Sequence, residues 1–191
     1  ARCLIALALT TGQIGRNGTG LHPLRGQNNV QGASDAGLIP MVFPDYQSVE
    51  NQDIHSKYEN FWNVQLDNKK GLTVVEVINK ILEDEIKSMY IMGENPAMSD
   101  PDQNHARKAL AKLDHLVVQD IFMTETAWHA DVILPSSAHA EKTGTFTNTN
   151  RQVQLGRQAV PPPGDARQDW WITQAIAQRM GLDWSYLHPR D

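Results

Sequence analysis

Cysteine is almost absent from this sequence: Cys3 is the only one in 191 residues. One thiol cannot build a disulfide framework, a cysteine-based zinc site or a self-contained iron–sulfur cluster. Long apolar runs are missing as well. The longest, Cys3 to Leu9, has seven residues, against about 20 for a membrane-spanning helix. Arg2 precedes that run, but the n-region and small-residue cleavage site of a secretory signal do not accompany it. Basic charge is scarce: 17 Lys and Arg face 22 Asp and Glu, for a net charge of −5. That balance argues against a nucleic-acid binder or a membrane-surface protein, which need basic patches. No G-x-G-x-x-G follows the first expected strand and no G-x-x-x-x-G-K-[ST] occurs, so a Rossmann NAD site and a P-loop are disfavoured. His22, His115, His129 and His139 lack metal-ligand spacing. We read them as structural or solvent-facing, and expect no metal ligand in the chain.

What is present suffices for a core. Hydrophobic residues make up 40% and 13 glycines add to them, reaching the apolar half that is usual for a globular chain. The length fits one domain or a little more, at roughly 150 residues per domain. The chain opens on Ala1-Arg2-Cys3 inside a helical apolar pattern and closes on His188-Pro189-Arg190-Asp191 straight after a helix. The expectation from both ends is an internal segment of a longer protein.

The pattern along the chain alternates. The first ten residues read as a helix ended by Thr10-Thr11-Gly12, and residues 12–40, with seven glycines, read as a shaped loop region. Residues 41–72 read as an irregular, aromatic-rich excursion over a core. Thr73 and Glu76 form a capping-box pair ahead of Val74, Val77, Ile78, Ile81 and Leu82 at helical spacing. Ser88 to Met92 is a strand, Asp100-Pro101 starts a second helix, and Leu116-Val117-Val118 and Val132 to Pro135 are further buried strands. Strand, helix, strand, short helix, strand is the alternation of an α/β parallel sheet. A polar strand pair around 145–147 and 152–155, a stiff Pro161-Pro162-Pro163-Gly164 link and a helix over 168–180 follow. Of Trp170 and Trp171 in that helix, at least one is expected in the core.

In an open parallel sheet, ligands bind beyond the carboxyl ends of the strands. Here those ends are polar: Gly93, Glu94, Asn95 and Ser99 after the first strand; Gln119, Asp120, Thr124 and Thr126 after the second; Ser136 and Ser137, with Glu141 to Thr145, after the third. Carboxylates, amides and hydroxyls are the groups that read a purine edge such as guanine, whose N1–H and N2–H₂ are donors. Taken one at a time, each position reads as an ordinary turn residue, since Gly, Asn, Asp and Ser dominate turns regardless of function. Convergence of the set on one edge is what points to a nucleotide-type site. Arg25 is the sharper feature. Its planar, always-charged fork suits a carboxylate, and Gly26, Gln27, Asn28, Asn29 and Gln31 surround it with amides. Such a loop fits an anionic substrate or a cofactor, but composition alone favours a self-satisfied surface loop with a solvated arginine.

Several runs together resemble molybdenum- or tungsten-dependent formate dehydrogenases. They are Gly12-Gln13-Ile14-Gly15, Gly18-Thr19-Gly20 and Pro23-Leu24-Arg25-Gly26-Gln27-Asn28-Asn29-Val30-Gln31-Gly32, then Met92-Gly93-Glu94-Asn95-Pro96. Further along come Val118-Gln119-Asp120-Ile121-Phe122-Met123-Thr124-Glu125-Thr126-Ala127, Ala130 to Pro135, Glu141 to Asn148, and Asp169-Trp170-Trp171. The likeness runs in order over nearly the whole chain and is strongest to the large catalytic (alpha) subunit of the soluble, NAD-linked type.

The resemblance implies a Rossmann-like open parallel sheet with flanking helices, an α/β cofactor-binding domain of the formate dehydrogenase/DMSO reductase type, incomplete here. It divides the chain into 1–27, the end of a neighbouring α/β domain with the active-site loop; 28–150, the molybdopterin guanine dinucleotide-binding domain; and 151–191, a polar strand, the proline link and a terminal helix. It implies two molybdopterin guanine dinucleotides around molybdenum or tungsten. The cysteine or selenocysteine ligand and the iron–sulfur clusters lie in the parent protein outside this segment. Arg25 is then the arginine that holds and orients formate. Asn95 matches the guanine-reading position; some relatives carry aspartate there, a stronger partner for two N–H donors, so that Asn95 needs help. Gln27, Gly93, Glu94, Ser99, Gln119, Asp120, Thr124 and Asp169 match the surrounding cofactor pocket. Implied partners are formate, the rest of the catalytic subunit, and diaphorase-type NAD/flavin and iron–sulfur subunits, with no nucleic acid and no membrane, in a cytoplasmic enzyme. The segment alone is expected to be inactive. The alternatives are a segment of a nitrate reductase or arsenite oxidase on the same scaffold, or a non-catalytic nucleotide-binding module.

Overall fold

A computed structural model describes residues 1–190 of the chain. These divide into two compact units, one built from residues 1–68 with 145–154, the other from 69–144 with 155 onward.

In the first unit, α1 (Arg2–Thr10) forms as expected but buries none of its residues; Leu4, Leu7 and Leu9 are exposed. The glycine-rich stretch is loop except for a short helix, α2 (Val30–Asp35), entered through Asn29 in the left-handed region at φ 60°. A two-residue antiparallel pair follows, β1 (Val42–Phe43) with β2 (Gln47–Ser48). The supposedly irregular excursion contains a regular helix, α3 (Gln52–Trp62). Asn51 caps it, its Oδ1 accepting from the backbone N–H of Asp53 at 3.0 Å and of Ile54 at 3.1 Å. Its packing partner is distant in sequence: Phe43 stacks on Tyr58 with ring centroids 4.5 Å apart, and Val49 joins them.

In the second unit, α4 (Val74–Leu82) begins with the expected capping box. The Thr73 N–H donates to Glu76 Oε2 at 2.7 Å, and the Glu76 N–H reaches Thr73 Oγ1 at 3.5 Å. Then come β3 (Ser88–Met92), a four-residue helix α5 (Pro96–Ser99) and α6 (Gln103–Leu110). The last starts two residues later than the Asp100-Pro101 signal suggests. Asp102 holds the cap, accepting from the His105 N–H at 3.1 Å, while the Asp100 carboxylate binds the Asp102 N–H instead. β4 (His115–Asp120) and β5 (Val132–Pro135) complete a three-stranded parallel sheet in the order β3-β4-β5, with Ile91 opposite Val118 and Val118 opposite Ile133. Ile91, Ala97, Leu110, Leu116, Val118 and Ala127 form its core. Ile78 and Ile81 of α4 pack on Ala106 and Ala109 of α6.

β6 (Gly144–Thr147) and β7 (Val153–Gly156) pair as a separate two-stranded sheet. The last helix, α7 (Asp169–Arg179), ends in a Schellman motif at Gly181, φ 89°: Leu182 N–H binds Ala177 O and Gly181 N–H binds Gln178 O. Its buried residues are Ile172 and Ala177. Neither tryptophan is core: Trp170 is half-buried with Nε1–H on Gln168 Oε1 at 2.9 Å, and Trp171 is exposed beneath Arg167. Both indoles keep polar company that an apolar core denies. Among the described residues no helix is long and apolar enough to cross a membrane.

Candidate functional site

The first site lies within the first unit. Residues 25–31, Phe146 to Thr149 and Gln154 line a cavity of about 190 Å³. Its floor is fixed by Asn29, whose Oδ1 accepts from the Thr147 N–H at 2.9 Å. That bond explains Gly32, since a Cβ there would sit 2.1 Å from Asn29 Oδ1. Gln31 is buried and donates to Asp35 at 2.9 Å and to the Tyr46 hydroxyl at 3.2 Å. Arg25 lines the cavity with its side chain exposed, and among the described residues its guanidinium makes no ion pair or hydrogen bond. Gln27, expected to bind cofactor, lines the same cavity. Drug-sized ligands occupy about 300–1,000 Å³, so this space suits a small anion. An uncommitted arginine fork is the group that holds a carboxylate in two charge-assisted hydrogen bonds.

The second site lies in the second unit, at the carboxyl ends of β3, β4 and β5. Gly93 turns there at φ 65° and donates its N–H to Gln119 O at 2.9 Å, and a Cβ on it would meet nothing within 4 Å. Positive φ favours glycine, and the open space beside it lets a ligand approach the backbone. Two polar groupings flank this turn. In one, Asn95 Oδ1 accepts from the Thr126 N–H at 3.1 Å and from the Thr126 hydroxyl at 2.8 Å, while its Nδ2 donates to Glu125 Oε2 at 2.7 Å. Thr126 is fully buried, and its hydroxyl also accepts from the Ala97 N–H at 3.0 Å. The Asn95 hydrogen bond holds the Glu125 carboxyl below its ordinary range, helped by its own backbone N–H and by Arg107.

In the other grouping, the Tyr90 hydroxyl donates to fully buried Gln119, Gln119 Nε2 donates to Asp169 Oδ1 at 2.7 Å, and Lys142 pairs with Asp169 Oδ2. Lys142 also donates to Ser137 O at 3.2 Å. Burial, and then the Asp169 charge, push the Tyr90 hydroxyl up. The structure thus joins Gln119 and Asp169, fifty residues apart. Asp120 and Thr124 serve their own turns, accepting from the Ile121 N–H at 2.7 Å and the Ala127 N–H at 3.2 Å. Glu94 and Ser99 line a different and larger cavity, about 530 Å³, along the outer edge of β3 among Val74, Ile78 and Met92. That space is mostly aliphatic, so we weight the polar turn at Gly93 above it. Tyr90 and Glu125 were given no role by sequence reasoning, and Lys142 entered only within the polar run Glu141 to Thr145. Only period-2 alternation from Gln119 on the neighbouring strand could have flagged Tyr90.

A nucleotide-bearing cofactor fits this edge. It offers the open Gly93 backbone, an exposed Glu125 carboxylate, and the buried Ser137 hydroxyl oxygen, which has no hydrogen-bond partner. A family model described as molybdopterin oxidoreductase matches residues 1–179. The chain belongs to the molybdopterin oxidoreductase family. Membership implies a molybdopterin cofactor. The alpha subunit of an F420-dependent formate dehydrogenase from Methanocaldococcus jannaschii is 56% identical over 180 residues, spanning 94% of this chain and 26% of that protein. The corresponding subunit of F420-dependent formate dehydrogenase 1 from Methanococcus maripaludis is 52% identical over 175 residues, spanning 92% and 26%. Among solved structures, acetylene hydratase from Pelobacter acetylenicus matches with a TM-score of 0.51 and 27% identity, over 57% of this chain and 16% of that one. The chain therefore spans about a quarter of the length of these formate dehydrogenase subunits.

Proposed function

We propose that this chain is the formate-binding and cofactor-binding segment of a formate dehydrogenase catalytic subunit, whose reaction is formate to CO₂, a proton and two electrons. The observation that carries the proposal is Arg25, uncommitted in a cavity of about 190 Å³ beside Gln27 and Asn28. Formate is the smallest carboxylate, and a guanidinium fork both orients it and stabilises charge as the C–H bond breaks. The names of the archaeal relatives support the same substrate.

The cofactor is proposed to be two molybdopterin guanine dinucleotides with molybdenum or tungsten, which accept the electrons when bound. Gly93, Asn95, Gln119, Asp120, Thr124 and Asp169 would frame the dinucleotide, with the three-stranded sheet as part of a Rossmann-like open sheet. NAD as final acceptor, which the resemblance expected, finds no support in those relatives, whose names carry F420. Their designation as alpha subunits supports further subunits, and we assign the acceptor chemistry, whether NAD/flavin diaphorase or F420, to these partners in a cytoplasmic enzyme. The metal ligand and iron–sulfur cysteines would also lie elsewhere in the parent, so the 191 residues alone should neither retain molybdenum nor oxidise formate.

The test is formate-dependent reduction of an artificial dye by the full-length catalytic subunit, with nitrate and arsenite assayed beside it. Formate oxidation is expected. Turnover of nitrate or arsenite without formate oxidation would overturn the proposal.

A further inference from the structure

We infer that Gln31 is a positioning residue for the reaction, its carbonyl holding the Arg25 guanidinium in the pose that grips formate. The inference rests on the reading of Arg25 as the formate handle. A guanidinium has five N–H donors, and a carboxylate held by the fork takes two of them. The remaining three need acceptors once water leaves the cavity. Among the described residues that line it, Gln31 alone is buried. Chemistry fixes the orientation of its amide. The ionised Asp35 carboxylate can only accept, so the group 2.9 Å from Asp35 Oδ1 is the Gln31 NH₂. The second hydrogen of that NH₂ goes to the Tyr46 hydroxyl at 3.2 Å. Both donors are thus engaged, and the carbonyl Oε1 has no hydrogen-bond partner among the described residues. Other acceptors around the cavity are less available. Asn29 Oδ1 accepts from the Thr147 N–H, Asn148 Oδ1 accepts from the Thr149 N–H at 2.9 Å, and the Thr149 hydroxyl lies 3.0 Å from His22 Nε2. Asn28 and Gln154 are exposed, where water competes for their amides.

The mounting behind Gln31 strains the backbone. Arg151 lies 3.6 Å from Asp35 and sets its guanidinium over the Tyr46 ring, 5.4 Å from the centroid. Among the described residues six non-glycines have left-handed φ, and four of them sit here: Asn29 at 60°, Asp45 at 61°, Tyr46 at 55° and Arg151 at 64°. Such conformations persist only where the surroundings over-determine them, and they gather at sites that are pre-organised. Here they bring side chains from three separate stretches of chain to bear on the amide of one glutamine.

The experiment is a double-mutant cycle on kcat/KM for formate in the full-length catalytic subunit, with Gln31→Met crossed against Arg25→Ala. Methionine keeps the length of glutamine and removes its amide. With Arg25 present, Gln31→Met should lower kcat/KM roughly tenfold, the worth of one hydrogen bond to a charged group. In the Arg25→Ala background it should change kcat/KM by less than about twofold, because the group it positions is already gone. A role in stability alone would give the same loss in both backgrounds. Tyr46→Phe, which keeps the ring under Arg151, should lower kcat/KM by about threefold, again only when Arg25 is present. It carries the test if Gln31→Met does not fold. Cofactor content should match the wild type throughout. Equal losses in both backgrounds, or no loss with Arg25 present, would overturn this inference and leave Arg25 as the handle. An unchanged kcat/KM in Arg25→Ala would instead overturn the formate-handle reading, and this inference with it.

Discussion

Gly32 shows how one position without a side chain holds a site together. A methyl group there would collide with Asn29 Oδ1, which a 2.1 Å separation forbids, and so would displace the bond from Asn29 to the Thr147 backbone. Gly32→Ala should therefore lower stability by about 1–3 kcal/mol, the range for overpacking with loss of a buried hydrogen bond, measured as a shift in urea midpoint. An unchanged midpoint would mean that Asn29 does not fix the cavity floor. The amide-rich loop around Arg25 was visible in the sequence, although its composition alone favoured a self-satisfied surface loop; the strand residues that close the cavity, Phe146 to Thr149, were not visible. They lie more than a hundred residues away, beyond any local spacing rule. The same distance hid Glu125: Asn95 was visible at the end of a strand, whereas its partner sits 30 residues on in an ordinary-looking turn.

Where a helix is specified by its neighbours in sequence, expectation and structure agree. Thr73 and Glu76 define the start of α4, and Ile78 and Ile81 are buried as their spacing dictates, while Val74 in the first turn stays exposed. Thr73→Ala should cost about 1 kcal/mol of stability, as for a typical N-cap, read from chemical denaturation of the full-length protein. α3 is the counterexample. Its Asn51 cap was present in the sequence, but Tyr58, Phe61 and Trp62 read as an aromatic excursion because the ring that orders them, Phe43, belongs to a strand fifteen residues earlier than Tyr58. The three parallel strands were legible because each is a short apolar run between polar turns; the four-residue α5 was not, since the group that binds its Ala97 N–H, the Thr126 hydroxyl, lies far along the chain, beyond any local spacing rule.

Across the molecule the charges favour neutral pH. Lys112 and Lys87 hold Asp84 below the ordinary carboxylate range, Lys80 does the same for Glu83, the Thr73 hydroxyl for Glu76 and Asn95 for Glu125. A depressed folded-state pKa contributes stability that is present above the ordinary range and lost as pH falls through the depressed value. Tyr90 is raised by burial and Asp169, so its contribution is present below the ordinary tyrosine range and lost as pH rises through the raised value. Denaturation midpoints should accordingly fall on acidification between about pH 5 and pH 1. About 1 M salt should flatten that fall, because these carboxylates are exposed and screened. A midpoint indifferent to acid would contradict those pairings.

One unit holds a small polar cavity and the other a polar strand edge, and the chain that carries both belongs to the molybdopterin oxidoreductase family. The central claim is that Arg25 is the formate handle. Arg25→Ala in the full-length catalytic subunit should lower kcat/KM for formate by about 10²–10³-fold, the cost of a lost charge-assisted contact at the reacting group. Arg25→Lys should recover only part of it, because an ammonium cannot reproduce the bidentate fork. Cofactor content should stay at the wild-type level in both. A kcat/KM for formate unchanged by Arg25→Ala would contradict the account.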